Sequence, residues 1–212
     1  MTSRTPRADS RANRAGILDA ARSLLAHDPY ASVDAIARSA GLTRRTLYGH
    51  FDDREALICE LIVTGAQRFN TLAASVTESD PRIALARLAA LLWHEAAHVQ
   101  VAAALALDEA HVSQTAEALA PLRRIVANIV RRGQENGGFR TDIAAPTLAR
   151  LIEEVSRTVV SRTVVVGADA ASPAAADLAV RTLLSIAGLS WREADALLHA
   201  HPDVLAPTEE TE

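Results

Sequence analysis

Two stretches of this 212-residue sequence set chemically active side chains at regular spacing. The first is Thr43-Arg44-Arg45-Thr46-Leu47-Tyr48-Gly49-His50. Its two guanidiniums can bind guanine O6 and N7, or a phosphate, through paired N–H bonds. The hydroxyls, phenol and imidazole around them donate to phosphate oxygens. The second is His94-Glu95-Ala96-Ala97-His98, a literal H-E-x-x-H. On a helix this spacing puts both imidazoles on one face, where zinc hydrolases hold their metal and use the Glu as general base. Glu117 is the third ligand that such a zinc metallohydrolase would use, but Val101 and Ala104 occupy the glycine and third-histidine positions of the longer motif. A peptidase cleft commonly pairs its substrate with an edge strand, and no segment reads as a strand. Three readings of His94 and His98 stay open: a zinc centre, a ligand or metal-sensing pocket, and plain helix packing. Neither G-x-x-x-x-G-K-[ST] nor G-x-S-x-G occurs, so no other constellation points to catalysis and the chain is expected not to be an enzyme.

Charge separates the two stretches. Up to Phe51 eight arginines face four acids, and beyond it fourteen face twenty-two, within an overall charge of -4. A basic end on an acidic body is the pattern of a chain that turns one end to a polyanion, which makes nucleic acid the first partner to consider. Every one of the 22 basic residues is arginine, the side chain suited to bidentate contact. Arg4, Arg7, Arg11 and Arg14 read either as a solvated tail or as an arm on the DNA.

The elements that must carry these groups are helices. Hydrophobic residues make up 49% of the chain but aromatics only 3%, and alanine and leucine recur where strands would need β-branched and aromatic runs. The longest stretch without a charge, Ala96 to Leu107, is too short to cross a bilayer. No apolar segment follows the N-terminal arginines as a secretion signal requires, and the single Cys59 allows no intrachain disulfide. The expectation is an all-α protein of the cytoplasm, without membrane span, cofactor or bound metal.

Apolar Ile17, Leu18, Ala21, Leu24 and Leu25 share one face of a helix over 10–27. Ser32 can cap a second helix with Val33, Ile36, Ala37 and Ala40 inward, and Gly41 stands where a helix end favours a left-handed residue. Thr43 can cap a third, with Leu47 and Phe51 inward. Asp52 and Glu55 resemble a capping box that starts a long fourth helix through Leu57, Leu61 and Phe69. Asp80-Pro81 and Ser172-Pro173 start two more, and Asn136-Gly137-Gly138 separates two further helical runs. A short helix over 191–199 and a loose acidic end close the pattern.

Two short helices joined through a glycine turn form a helix-turn-helix, whose second helix enters the major groove with its N-terminal residues on the base edges. The stretch from Ser32 to Leu57, with Ile36-Ala37-x-x-Ala40-Gly41, Thr46-Leu47-Tyr48-x-His50-Phe51 and Arg54-Glu55-Ala56-Leu57 in order, resembles the DNA-binding domain of the tetracycline-repressor (TetR) family. The resemblance covers about residues 10 to 60. It implies a DNA-binding domain over 1–55 and a regulatory and dimerisation domain over 56–212. It further implies a homodimer on double-stranded, palindromic operator DNA, released by a small-molecule effector, and so a repressor; a DNA-binding protein without an effector is the alternative. The DNA-contacting set carried over is Ser32, Thr43, Arg44, Arg45, Thr46, Tyr48, Gly49, His50 and Arg54. Gly49 stands where many relatives carry a larger side chain; inside a helix it would cost about 1 kcal/mol, which reads as a softer helix or a close backbone approach. An effector pocket is expected near Phe69, Trp93, His94, His98 and Glu154. The dimer interface is expected as a four-helix bundle, two helices per protomer, using Leu148, Leu151, Ile152, Val155 and Val159 with Val180, Leu183, Leu184 and Ala187.

Overall fold

A computed structural model of the protein describes residues 6–25, 28, 30–98, 111–166 and 173–206. These build ten α-helices and no strand: α1 (Pro6–Leu25), α2 (Val33–Ser39), α3 (Arg44–Tyr48), α4 (Arg54–Ala74), α5 (Pro81–His98), α6 (Val112–Ala118), α7 (Ala120–Glu135), α8 (Ala145–Val166), α9 (Pro173–Ala187) and α10 (Trp191–Ala200). A 3₁₀ turn, Pro202–Leu205, follows α10. No described helix is long and apolar enough to cross a membrane. The all-α expectation holds.

The chain divides into two compact units within α4, between Gly65 and Ala66, and residues 111–116 join the first. That division lies further along than the expected boundary at 55, because Leu57 and Leu61 of α4 belong to the core of the first unit. In that core Ile17, Leu25, Ile36, Leu47 and Leu57 are fully buried. Ser32 caps α2 by accepting the Ala35 N–H at 3.2 Å, and Gly41 turns the chain at φ +68. α4 starts one residue later than the Asp52 box suggested: Asp53 Oδ1 accepts the Ala56 N–H at 2.7 Å.

Helix α1 begins at Pro6, so Arg7, Arg11 and Arg14 are helical rather than part of a tail. Arg14 in particular is structural. Its guanidinium pairs with Glu60, donates to the His50 carbonyl and lies 4.3 Å from the centre of the Phe51 ring.

The second unit is built around α5, which is apolar on nearly every side: Ala84, Leu85, Ala86, Leu88, Ala90, Trp93 and Ala96 are all buried. Leu148 and Ile152 of α8 and Val180, Leu183, Leu184 and Ala187 of α9 join the same core. This corrects the expected dimer interface, since these six residues are covered by the chain's own helices and offer nothing to a partner. Val155 packs half-buried on that core, and Val159 packs beside Trp93. Of the expected set only Leu151 is exposed.

Between α7 and α8 the chain turns at Gly137, φ +74, and the Phe139 ring drops onto Gly133, where any Cβ would come within 2.0 Å of it. The segment after α10, expected to be loose, is docked through residue 206. Val204 is buried, and Arg87 pairs with Asp203 and, at 2.9 Å, with Glu78. Residues 207–212 lie outside the described residues.

Candidate nucleic-acid interface

The interface is assembled by α2, the Gly41 turn and α3. Leu47 and Phe51, one turn apart, plug into the space over Ile36 and Ala37, and this apolar contact fixes which face of α3 looks outward. That face carries Arg44, Arg45 and Tyr48, all exposed. Arg45 makes no ion pair among the described residues, so its full set of donors is available. Arg44 is already engaged: Nη1–H donates to Asp34 Oδ2 at 3.2 Å, Nη2–H to the Tyr48 hydroxyl at 3.5 Å, and the guanidinium lies 5.3 Å from the Tyr48 ring centre. The Tyr48 hydroxyl first, and then the Asp34 carboxylate, raise the Arg44 guanidinium above its ordinary value, so the charge is permanent.

The hydroxyls are less free than their exposure suggests. Thr43 Oγ1 accepts the Thr46 N–H at 3.1 Å as the N-cap of α3 and shares a hydrogen with Thr46 Oγ1 at 2.8 Å. Only one of these two hydroxyl hydrogens can therefore face a phosphate. Ser32 uses an oxygen lone pair for its cap and keeps its O–H. His50 and Arg54 are half-buried at the end of this surface. Gly49 is the C-cap of α3 at φ -73 and not a helix-interior residue, so the expected penalty and both explanations attached to it fall away.

Three residues of this unit escaped sequence reasoning. Asp34 reads as an ordinary first-turn acid of α2, and only the fold brings it to Arg44. Tyr30, 92% exposed, precedes α2 with nothing in the local pattern to mark it. His111 is buried, and its Nε2–H donates to Glu55 Oε1 at 2.9 Å, which ties the start of α6 to the start of α4; its Nδ1 has no partner among the described residues. That contact spans 56 positions, beyond any periodicity argument.

Two side chains of the H-E-x-x-H segment, His94 and Glu95, have partners within the second unit. His94 Nε2–H donates to the Leu205 carbonyl at 3.2 Å, which removes that lone pair from metal ligation. Glu95 is ion-paired with Arg68 at 2.9 Å rather than facing an open site as a general base would. The side chain of His98 lies outside the described residues. No three His, Cys, Asp or Glu side chains among the described residues are grouped to hold a metal. Of the remaining pocket candidates, Trp93 is buried against Ala176 and Ala179, Phe69 is half-buried on α4, and Glu154 pairs with Arg157 and with Arg150 at 3.6 Å. Glu117 lies in α6.

Residues 17–61 match the family model of the bacterial regulatory proteins of the tetR family. No curated protein matches the sequence. Among solved structures, the fatty acid degradation regulator FadR of Bacillus halodurans is similar at 20% identity and TM-score 0.71, over 89% of this chain and 98% of its own. FadR of Bacillus subtilis, solved with stearoyl-CoA, is similar at 18% identity and TM-score 0.69, over 83% and 99%. RolR, solved with resorcinol, is similar at 17% identity and TM-score 0.61, over 89% and 94%. At these identities the likeness carries the fold, while the family model carries the identity of the N-terminal segment. The chain thus bears, at its N-terminus, the helix-turn-helix domain of the tetR family of bacterial regulatory proteins.

Proposed function

We propose that the protein is a homodimeric, ligand-responsive transcriptional repressor that reads a palindromic operator with helix α3 of each protomer. The observation that carries this reading is the outward row Arg44, Arg45 and Tyr48 on a helix whose other side is anchored by Leu47 and Phe51. Arg44 and Arg45 read base edges, while Tyr48, His50, Ser32, Arg54 and the Thr43–Thr46 hydroxyl pair hold phosphates and set the register. Residues 1 to about 55 supply this function, with the start of α4 as its support.

The rest of the chain is the regulatory and dimer-forming body. Two solved proteins of similar fold hold stearoyl-CoA and resorcinol, which supports a body that accommodates a small molecule. Phe69, Trp93, His94 and His98 are its proposed lining. The second copy packs on the outer faces of α8 and α9, where Leu151 is 41% and Leu178 64% exposed. Two-fold symmetry then sets two α3 helices about 34 to 36 Å apart, one turn of DNA. Effector binding favours a spacing that misses successive grooves, a coupling that must run equally in both directions.

Selection of duplexes from a randomised pool by the purified protein tests this. A palindrome with half-sites about 10 base pairs apart supports it. A pool that stays random through repeated rounds overturns it.

A further inference from the structure

We propose that Asp34 is a specificity-determining positioning residue: from α2 it holds the Arg44 guanidinium in its base-reading pose and raises discrimination between operator and random DNA. The inference rests on the DNA-reading function proposed above and adds a residue to it. Arg44 is the first residue of α3 and Asp34 lies in the first turn of α2, so the contact crosses the two helices of the motif. Asp34 Oδ2 takes the Nη1–H at 3.2 Å on one side, and Tyr48 supplies its hydroxyl at 3.5 Å and its ring at 5.3 Å on the other. A long, rotamer-rich side chain is thereby confined before DNA arrives. The Arg44 side chain is still 62% exposed, so its remaining N–H groups are open to a base.

An ion pair this exposed adds little to fold stability. Its consequence lies in recognition. A carboxylate on a surface that approaches a polyanion weakens binding to every duplex alike. A guanidinium confined in advance loses less freedom only where a guanine meets it. The first effect leaves the ratio of affinities unchanged; the second widens the gap between the right sequence and the wrong one, because specificity is a difference of affinities. The Asp34 side chain is 49% exposed, and its Oδ1 is covered without a hydrogen-bond partner among the described residues, so its hold on Arg44 runs through Oδ2.

The test uses the full-length protein, the duplex it enriches from a randomised pool, and a shuffled duplex of the same composition. Asp34→Ala should bind the shuffled duplex more tightly and lower the enriched-to-shuffled affinity ratio by roughly tenfold, within the range a bidentate base contact supplies. Asp34→Asn, which keeps an acceptor but no charge, should fall between Asp34→Ala and wild type, and its unfolding midpoint should match wild type. In an Arg44→Ala background, Asp34→Ala should leave the ratio unchanged. A ratio indifferent to Asp34 in an otherwise discriminating protein overturns the inference. So does an equal fall with Arg44 absent, which would put Asp34 itself on a base or in the fold. A wild type that fails to discriminate overturns the DNA-reading function instead, and the inference with it.

Discussion

On α3 only a side chain that reaches a base edge carries sequence information, so neighbouring donors differ in what their loss does. Arg45→Ala should cost about 1 to 3 kcal/mol on the preferred duplex and relax one base position. Tyr48→Phe should weaken both duplexes by losing a phosphate contact, with a smaller further loss on the preferred one because the hydroxyl also holds Arg44. Affinities of both variants for both duplexes check this, and identical profiles would contradict the division of labour. Arg44 and Arg45 were legible because the glycine turn, Leu47 and Phe51 fix the phase of α3. The Thr43 hydroxyl was legible as a cap, and that same cap consumes part of what was assigned to phosphate. The Arg14 clasp was not legible: three basic neighbours in sequence suggested an arm, while the acid and carbonyl that capture it lie 46 and 36 positions away.

At the scale of elements, helix starts and stops were written locally and were found: Ser32, Thr43 and Asp80 stand at helix starts, and Gly41 and Gly137 follow helix ends at positive φ. What each element packs against was not local. The bend over Gly133 is one case. Gly133→Ala drives a methyl into the Phe139 ring and should cost about 1 to 3 kcal/mol, read as a lower denaturation midpoint. The docked turn after α10 is another. Its Asp203 carboxyl is held below the usual carboxylate range by the hydrogen bond from Arg87. A lowered carboxyl stabilises the fold above its unfolded value, and the contribution disappears as pH falls through the folded one. Asp203→Asn should therefore lower the unfolding temperature at neutral pH, with the gap to wild type closing in acid. Melting curves across that range decide it; a gap independent of pH would mean that the charge is not what docks the turn.

For the whole molecule, the basic first quarter and the acidic remainder already separated a DNA-reading part from a body. Helical periodicity marked Leu148, Ile152, Val180 and Leu184 as apolar, and so as buried, but periodicity cannot say whether the cover comes from the same chain or from a second copy. The chain's own α5, α7, α8 and α9 supply it. On the proposed reading the outer faces of α8 and α9 carry the dimer, and Leu178→Asp should give monomers by sedimentation and lose operator affinity together. Stable dimers of that variant would place the interface elsewhere.

The central claim is that α3 reads sequence in duplex DNA. Its most direct measurement is fluorescence anisotropy of the enriched duplex against its shuffled counterpart over a range of salt. The account predicts a preference of at least about a thousandfold, with affinity falling linearly on a logarithmic salt scale as counterions are released. Equal affinity for the two duplexes, or binding indifferent to salt, would contradict it.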